Sequence, residues 1–228
     1  MIEHIYALKA GLDLSNSFDA AVWAVACIAF WCCCRLGELV IPSDNLFNGL
    51  KHVARGTSVV HNCTGLGVKF ATMHIPWSKT TQAEGADISI TAHEDLSCPY
   101  IALKHHLLCS PDVPPSAPFF SFATIDRKWA PMTKPWFMAR CNEIWVEAGL
   151  PDIPGHGYRI GGATHLLLTG VAPDIVAVLG RWKSRAFLDY WRQIQSILPL
   201  FLSAGGGSSR CAIVESSMDA YKKKYQLN

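Results

Sequence analysis

The chain has 228 residues, half of them hydrophobic, 17% charged, with a formal charge of +2. That composition excludes a disordered or low-complexity chain and suits one large domain or two small ones with a substantial core. The nearly balanced charge is less basic than a domain living on duplex DNA usually shows, although a local patch matters more than the sum.

Nine cysteines, an odd number, include the run Cys32-Cys33-Cys34 on an apolar stretch. No Cys-x-x-Cys pair occurs and no Cys/His spacing suits zinc, so reduced, buried thiols are expected. Met1-Ile2-Glu3-His4 lacks the basic-then-apolar layout of a signal peptide.

Residues 1 to 16 read as a short helix and a loop, after which Ser15 or Ser17 can cap a helix from about Phe18 to Cys34. That helix is apolar almost all round, which makes it central. Its longest apolar run, Ala20 to Cys34, is 15 residues, short of the roughly 20 a membrane span needs. Arg35 and Glu38 follow it. A buried arginine there needs a partner, and Arg35 can pair with Glu38 or cap carbonyls.

Residues 42 to 56 form a loop. Three short strands come next: Thr57 to His61, Val68 to Trp77, and Ile88 to Thr91. In the second, Val68, Phe70, Thr72 and His74 alternate with Lys69, Ala71, Met73 and Ile75. Lys79 falls on the hairpin between the second and third, where a lysine is ordinarily a solvated surface residue.

Cys98-Pro99 opens a helix to about Cys109 with Ile101, Leu103, Leu107 and Leu108 as its apolar members. His105-His106 reads as a partly exposed pair rather than a metal site. Residues 110 to 118 hold four prolines and form a loop. Phe119 to Phe122 suggests a brief strand. Thr133 caps a helix with Pro135 in its first turn, running to about Ala148. A Pro/Gly loop from Gly149 to Gly157 delivers His156 to the next helix.

Residues 156 to 190 carry the chemistry. His156 and Arg159 are three apart, so at a helix start they share one side, and the helix N-terminus favours an anion. Gly161 and Gly162 cost helix propensity, roughly 1 kcal/mol each, unless a neighbour or a DNA backbone must come close. A second helix runs from Ala172 to Leu179 and ends at Gly180. A third, from Ser184 to about Ile197, carries Tyr190. Taken singly, His156 can be a cap or core histidine and Tyr190 a core aromatic beside Trp191. Together they suggest work on a phosphate. Arginine forks grip phosphate oxygens in two-pronged fashion, and a tyrosine oxygen can act as a covalent nucleophile.

These residues carry a family resemblance. His156-x-x-Arg159, Gly161-Gly162-Ala163-Thr164, Leu179-Gly180 and Tyr190 resemble the second half of a tyrosine recombinase (phage-integrase-type) catalytic domain. Gly180-Arg181-Trp182-Lys183-Ser184 with Ala186-Phe187 is most similar to the versions in eukaryotic mobile elements. Upstream, Arg35-Leu36-Gly37-Glu38-Leu39 resembles the family's first arginine motif, and Trp77-Ser78-Lys79-Thr80 its hairpin lysine. The match covers roughly residues 15 to 195.

The resemblance implies an α+β, mainly helical, integrase-like catalytic domain over residues 1–204, with a small three-stranded antiparallel sheet at one edge. A flexible tether and C-terminal tail would occupy 205–228. With 34 residues before Arg35, the family's N-terminal DNA-clamping domain is expected to be absent.

The implied activity is DNA breaking and rejoining, as in site-specific recombination or integration, through a 3′-phosphotyrosyl link. It would need no metal, ATP or other cofactor. Arg35 and Arg159 would neutralise the phosphate, with Glu38 holding Arg35. Lys79 (or, failing it, Lys69) would protonate the leaving 5′-oxygen. His156 would take or orient the proton of the nucleophile, Tyr190.

The fifth family position, nine residues before the tyrosine and usually His or Trp, is Arg181 here. By spacing it is the candidate donor, with Trp182 beside it as the alternative. Double-stranded DNA is the implied partner, with a homo-oligomer (a tetramer on DNA) formed through the tail, no membrane, and an intracellular, nuclear location. Two other readings stay open: a DNA-binding relic of the same fold that no longer cuts, and a helical interaction protein with no nucleic-acid role.

Overall fold

The computed structural model describes residues 1–126 and 128–182. The expected helix from Ser184 with Tyr190, and the tether and tail from residue 205, lie outside the described residues. The elements run α1 (Ile2–Gly11), α2 (Ser17–Trp31), α3 (Leu36–Leu39), β1 (Val59–Cys63), β2 (Lys69–Ile75) and β3 (Ala86–Thr91). Then come α4 (Pro99–Cys109), β4 (Phe122–Ala123), β5 (Trp129–Ala130), α5 (Lys134–Glu147), α6 (Gly157–Leu168) and α7 (Pro173–Leu179). The architecture is the expected one: mainly helical, with one small three-stranded antiparallel sheet in the order β1-β2-β3.

α2 is the axis of the core. Every residue from Asp19 to Phe30 is buried, as a helix apolar on all sides requires, and α4 and α6 pack against it. Its cap is Asn16, whose side chain accepts from the amides of Phe18 at 2.8 Å and Asp19 at 3.4 Å. The expected serines are engaged elsewhere: the Ser15 hydroxyl donates to Asp13 and the Ser17 hydroxyl to the Ala123 carbonyl.

The helix also stops earlier than Cys34. Cys33 takes a left-handed backbone, φ 48°. The Cys34 amide reaches back to the Ala29 carbonyl at 3.0 Å and the Cys33 amide to Phe30 at 3.3 Å. This is a Schellman end built on a cysteine where glycine is usual, so no glycine marks the boundary in the sequence.

The sheet follows the alternation. Ala71, Met73 and Ile75 are buried, as are Ile88 and Ile90 across the β2–β3 ladder. His74 stays exposed and pairs with Asp87 at 2.8 Å. The brief strand expected at Phe119–Phe122 lies at Phe122–Ala123 and pairs with β5. Phe119 and Phe120 are instead buried, and the Phe119 amide bonds the Val53 carbonyl.

α4 corrects its expected face. Ile101 is 63% and Leu108 75% exposed, while His106 is fully buried with Ala102 and Leu103. The reason is Arg55. This arginine, from the loop before β1, enters the interior and places Nη1 3.0 Å from His106 Nε2. It also donates to the carbonyls of Phe119 and Ser110. The helix turns a polar partner inward to meet it and leaves two aliphatic residues outside.

The described cysteines are all free. Six are buried as expected, but Cys63 is exposed at the end of β1 and Cys109 is half-buried. Thr133 caps α5 as expected, accepting from the Trp136 amide at 3.3 Å. Among the described residues, no helix is long and apolar enough to cross a membrane.

α6 lies on α2 where Gly162 faces Phe30: a β-carbon at Gly162 would overlap the Phe30 carbonyl oxygen. The neighbour that this glycine admits is therefore the core helix.

Candidate active site

The C-terminal end of α2 turns straight into α3, whose N-cap is Arg35. Glu38, three residues on and buried, accepts the Arg35 backbone amide at 2.9 Å through one oxygen and Arg35 Nη1 at 3.1 Å through the other. The short turn thus fixes its own arginine. The Arg35 side chain keeps 30% of its surface exposed.

α7 ends in a second Schellman turn. The Trp182 amide bonds the Ala177 carbonyl at 3.0 Å and the Arg181 amide bonds Val178 at 2.9 Å. Arg181 is left-handed, φ 57°. This turn sends the Arg181 guanidinium to Glu38, Nη2 to Oε2 at 2.7 Å, across 143 residues of sequence. Its Nη1 bonds the Leu179 carbonyl at 3.1 Å.

Arg159, in the first turn of α6, is 3% exposed. It donates to the carbonyls of Cys33 and Gly180, each at 2.5 Å. Its guanidinium sits 4.0 Å from the centroid of the Trp182 ring. One side chain therefore staples the two Schellman turns, where the exposed carbonyl ends of α2 and α7 favour a cation.

The structure thus brings Arg35, Arg159 and Arg181 to one place. Arg35, Arg181 and the one carboxylate they share carry a net +1. Burial opposes the charge on Arg181, but Cys34 and Glu38 hold its pKa above the usual range. Burial also pushes the Cys33 thiol up to about 12 and the Cys34 thiol up to about 11, so both line the floor as neutral groups.

His156 is exposed at the N-cap of α6. Its neighbour Gly155 packs on α3, since a β-carbon there would stand 2.7 Å from Leu36 Cδ1. Lys79 is exposed on a turn closed by reciprocal Ser78–Gln82 backbone bonds. Lys69 is exposed at the start of β2. Both lysines belong to the sheet, Lys79 between β2 and β3 and Lys69 in β2, whereas the arginines come from α6 and from the turns that end α2 and α7. Tyr190 lies outside the described residues.

The tyrosine nearest in sequence among them, Tyr158, is fully buried and donates to Cys141 Sγ at 3.1 Å. Burial raises its pKa well above the ordinary value, which makes it a packing residue. Also among the described residues, no group of three or more His, Cys, Asp or Glu is placed to hold a metal ion.

Reading the residues in order missed the Trp182 platform and the two carbonyls under Arg159. The available signal was Gly180: a β-carbon there would overlap the Trp182 ring, so the glycine makes room for the aromatic that follows it.

No protein-family model and no curated protein matches the chain. Solved structures do. An FLP recombinase–Holliday junction complex aligns with TM-score 0.52 and 12% identity over 80% of this chain. A Flpe mutant–DNA Holliday junction complex aligns with TM-score 0.52 and 11% identity over 80%. The chain spans less than half of each, 44% of the Flpe chain and 42% of the FLP chain. At such identities the likeness is one of fold, and it agrees with the order of the motifs: the protein has the fold of a tyrosine recombinase-like domain.

Proposed function

We propose that the protein breaks and rejoins DNA strands through a covalent tyrosyl-phosphate. The observation that carries this reading is the meeting of Arg35 and Arg181 on one shared carboxylate, with Arg159 on the carbonyls of the two adjoining helix ends, within a fold whose solved neighbours are DNA junction complexes. Three guanidiniums gathered from distant parts of a chain are costly to bury. An anion that reaches Arg35 and Arg159 recovers that cost, and the phosphodiester is the anion whose geometry suits arginine forks.

Tyr190 Oη attacks the phosphorus, a phenolic O–P bond forms, and the P–O5′ bond breaks. His156 takes or orients the phenolic proton, which matters because a tyrosine with pKa about 10 is protonated at neutral pH. Lys79 gives a proton to the departing 5′-oxygen. Arg35 and Arg159 neutralise charge on the non-bridging oxygens, about 3 to 4 kcal/mol each by analogy with one oxyanion donor. Religation is the reverse, with the 5′-hydroxyl as nucleophile, so the bond energy is kept in the protein–DNA link. With this reading come duplex DNA as partner, self-association on it through the tail beyond residue 204, mobile-element DNA as substrate and work in the nucleus.

The test is covalent trapping. Nicked duplexes that lose a short fragment on cleavage, offered as a broad set of sites, should leave DNA attached to the wild-type protein and none to Tyr190→Phe. Binding without any adduct would favour the non-cutting relic, a reading to which the engagement of Arg181 with Glu38 lends support.

A further inference from the structure

Position 181 holds an arginine where the resemblance places histidine or tryptophan, and its guanidinium is already bound to a buried carboxylate. The Arg181 side chain is 9% exposed. Nη2 is spent on Glu38, Nη1 on the Leu179 carbonyl, and among the described residues Nε is buried without a hydrogen-bond partner. Arg35 contrasts with it: 30% of its side chain remains exposed and it meets the same carboxylate from the other side.

Trp182 is likewise turned inward, seated against Gly180 with the Arg159 guanidinium on its face. Both orientations come from one backbone device, the left-handed Arg181 that closes α7 and sends consecutive side chains to the two clamps.

We infer that Arg181 and Trp182 are positioning residues. Arg181 holds Arg35 by fixing Glu38, Trp182 holds Arg159 by stacking, and neither donates to the phosphate. With Arg181 bound to Oε2, the Glu38 carboxylate keeps Oε1 on Arg35 Nη1. A guanidinium on an aromatic face keeps its edge donors directed in the ring plane, a geometry that arginine stacking favours. The dipeptide thus presets two clamps 124 residues apart in sequence (159 − 35).

This inference rests on the reading of Arg35 and Arg159 as phosphate clamps, and two measurements on the full chain test it. The first is the salt dependence of duplex binding, whose slope falls by about one for each cation withdrawn from a phosphate. Arg35→Ala should lower it by about one, whereas Arg181→Ala and Trp182→Leu should leave it unchanged. A slope lowered by about one in Arg181→Ala overturns the inference.

The second is a double-mutant cycle on the single-turnover cleavage rate with Arg181→Ala and Glu38→Gln. Because Arg181 acts through Glu38, the double variant should be within about twofold of the slower single one. Rate effects that multiply overturn the inference, since they put Arg181 on the substrate independently. Arg181→Lys, which keeps a cation for Glu38, should recover most of the rate and serves if the alanine variant fails to fold. A wild-type protein that neither binds nor cuts DNA sinks the clamp reading itself. The same cycle in urea unfolding then reports the brace, and additive effects there overturn it.

Discussion

The two ends of α2 both hold buried ion pairs, and they are built to opposite purposes. At the start, Asp19 is 4% exposed. It receives two donors from Arg140, Nε at 2.9 Å and Nη2 at 2.8 Å, and the Asp13 amide as well. Arg140 turns its remaining edge to Glu143 at 2.7 Å. One guanidinium faces two carboxylates, and hydrogen bonds to Asp19 and then Glu143 raise its pKa. At the finish, Arg35 and Arg181 share Glu38, and Arg159 is held on helix-end carbonyls. The first end is closed by its own counter-ions and fastens α5 to α2. Among the described residues, the second sets one carboxylate between two guanidiniums, an excess of positive charge that a phosphate would answer under the proposed function. What distinguishes scaffold from site is therefore the ratio of charges, since both ends are buried and both are hydrogen-bonded.

The largest expected effect contrasts the two ends directly. Asp19→Ala takes from Arg140 its buried partner and leaves only the exposed Glu143, and should cost about 3 kcal/mol, the low end for breaking a buried pair, because the Arg140 side chain keeps 25% of its surface exposed. Cleavage by the folded fraction should persist. Arg35→Ala should do the reverse: a stability change under about 1 kcal/mol, as for partly exposed pairs, with cleavage slowed about 10²- to 10³-fold. Urea unfolding and single-turnover cleavage measure both. Equal destabilisation by the two variants would erase the distinction between the ends.

A smaller effect concerns the packing that carries Arg159 to the second end. Gly162→Ala must push α6 away from the Phe30 carbonyl, an overpacking cost of about 1 to 3 kcal/mol. Gly161→Ala meets Cγ and Cβ of Met1, so the first residue must shift rather than a core helix, and the roughly 1 kcal/mol of helix propensity gained offsets that. It should be near neutral in thermal unfolding. If Gly162→Ala is equally silent, close approach to α2 is not what the glycine supplies.

An effect that appears only on acidification sharpens the comparison with another interior guanidinium, Arg55, which faces a neutral partner. Burial first, then the Arg55 charge, pushes the His106 pKa down to about 3. Between that value and the ordinary pKa of 6.5 the unfolded chain binds a proton that the folded one does not. The contribution is complete above pH 6.5 and is lost as pH falls towards 3, at up to about 1.4 kcal/mol per pH unit. Urea unfolding from pH 7 to 4 should show a shallower decline in His106→Gln than in wild type. Parallel declines would mean that His106 titrates normally.

Much of the fold was legible along the chain because each local signal had a local cause. The unbroken apolar run named α2 as the core, period-two alternation set the buried face of β2, and Thr133 with Pro135 marked the start of α5. The misreadings arose where the deciding partner was remote. Asn16 caps α2 because Ser17 is taken by the Ala123 carbonyl, 106 residues away. His106 turns inward because Arg55 enters from another loop. The end of α2 was hidden because its left-handed residue is Cys33, and only glycine announces such a turn in a sequence.

The candidate site divides in the same way. Sequence spacing together with the family resemblance singled out Arg35 with Glu38, His156 with Arg159, and Arg181 with Trp182, because each pair lies within one helical turn or one peptide bond. It left open whether Arg35 pairs or caps, and which of Arg181 and Trp182 faces the ligand. Those choices belong to the tertiary structure. Two helix ends must first be folded side by side before Glu38 can take two arginines, or Arg159 can hold a carbonyl from each. Charges far apart in sequence interact only through distance in space, and that distance is fixed by how α6 packs against α2 and α7 against α6.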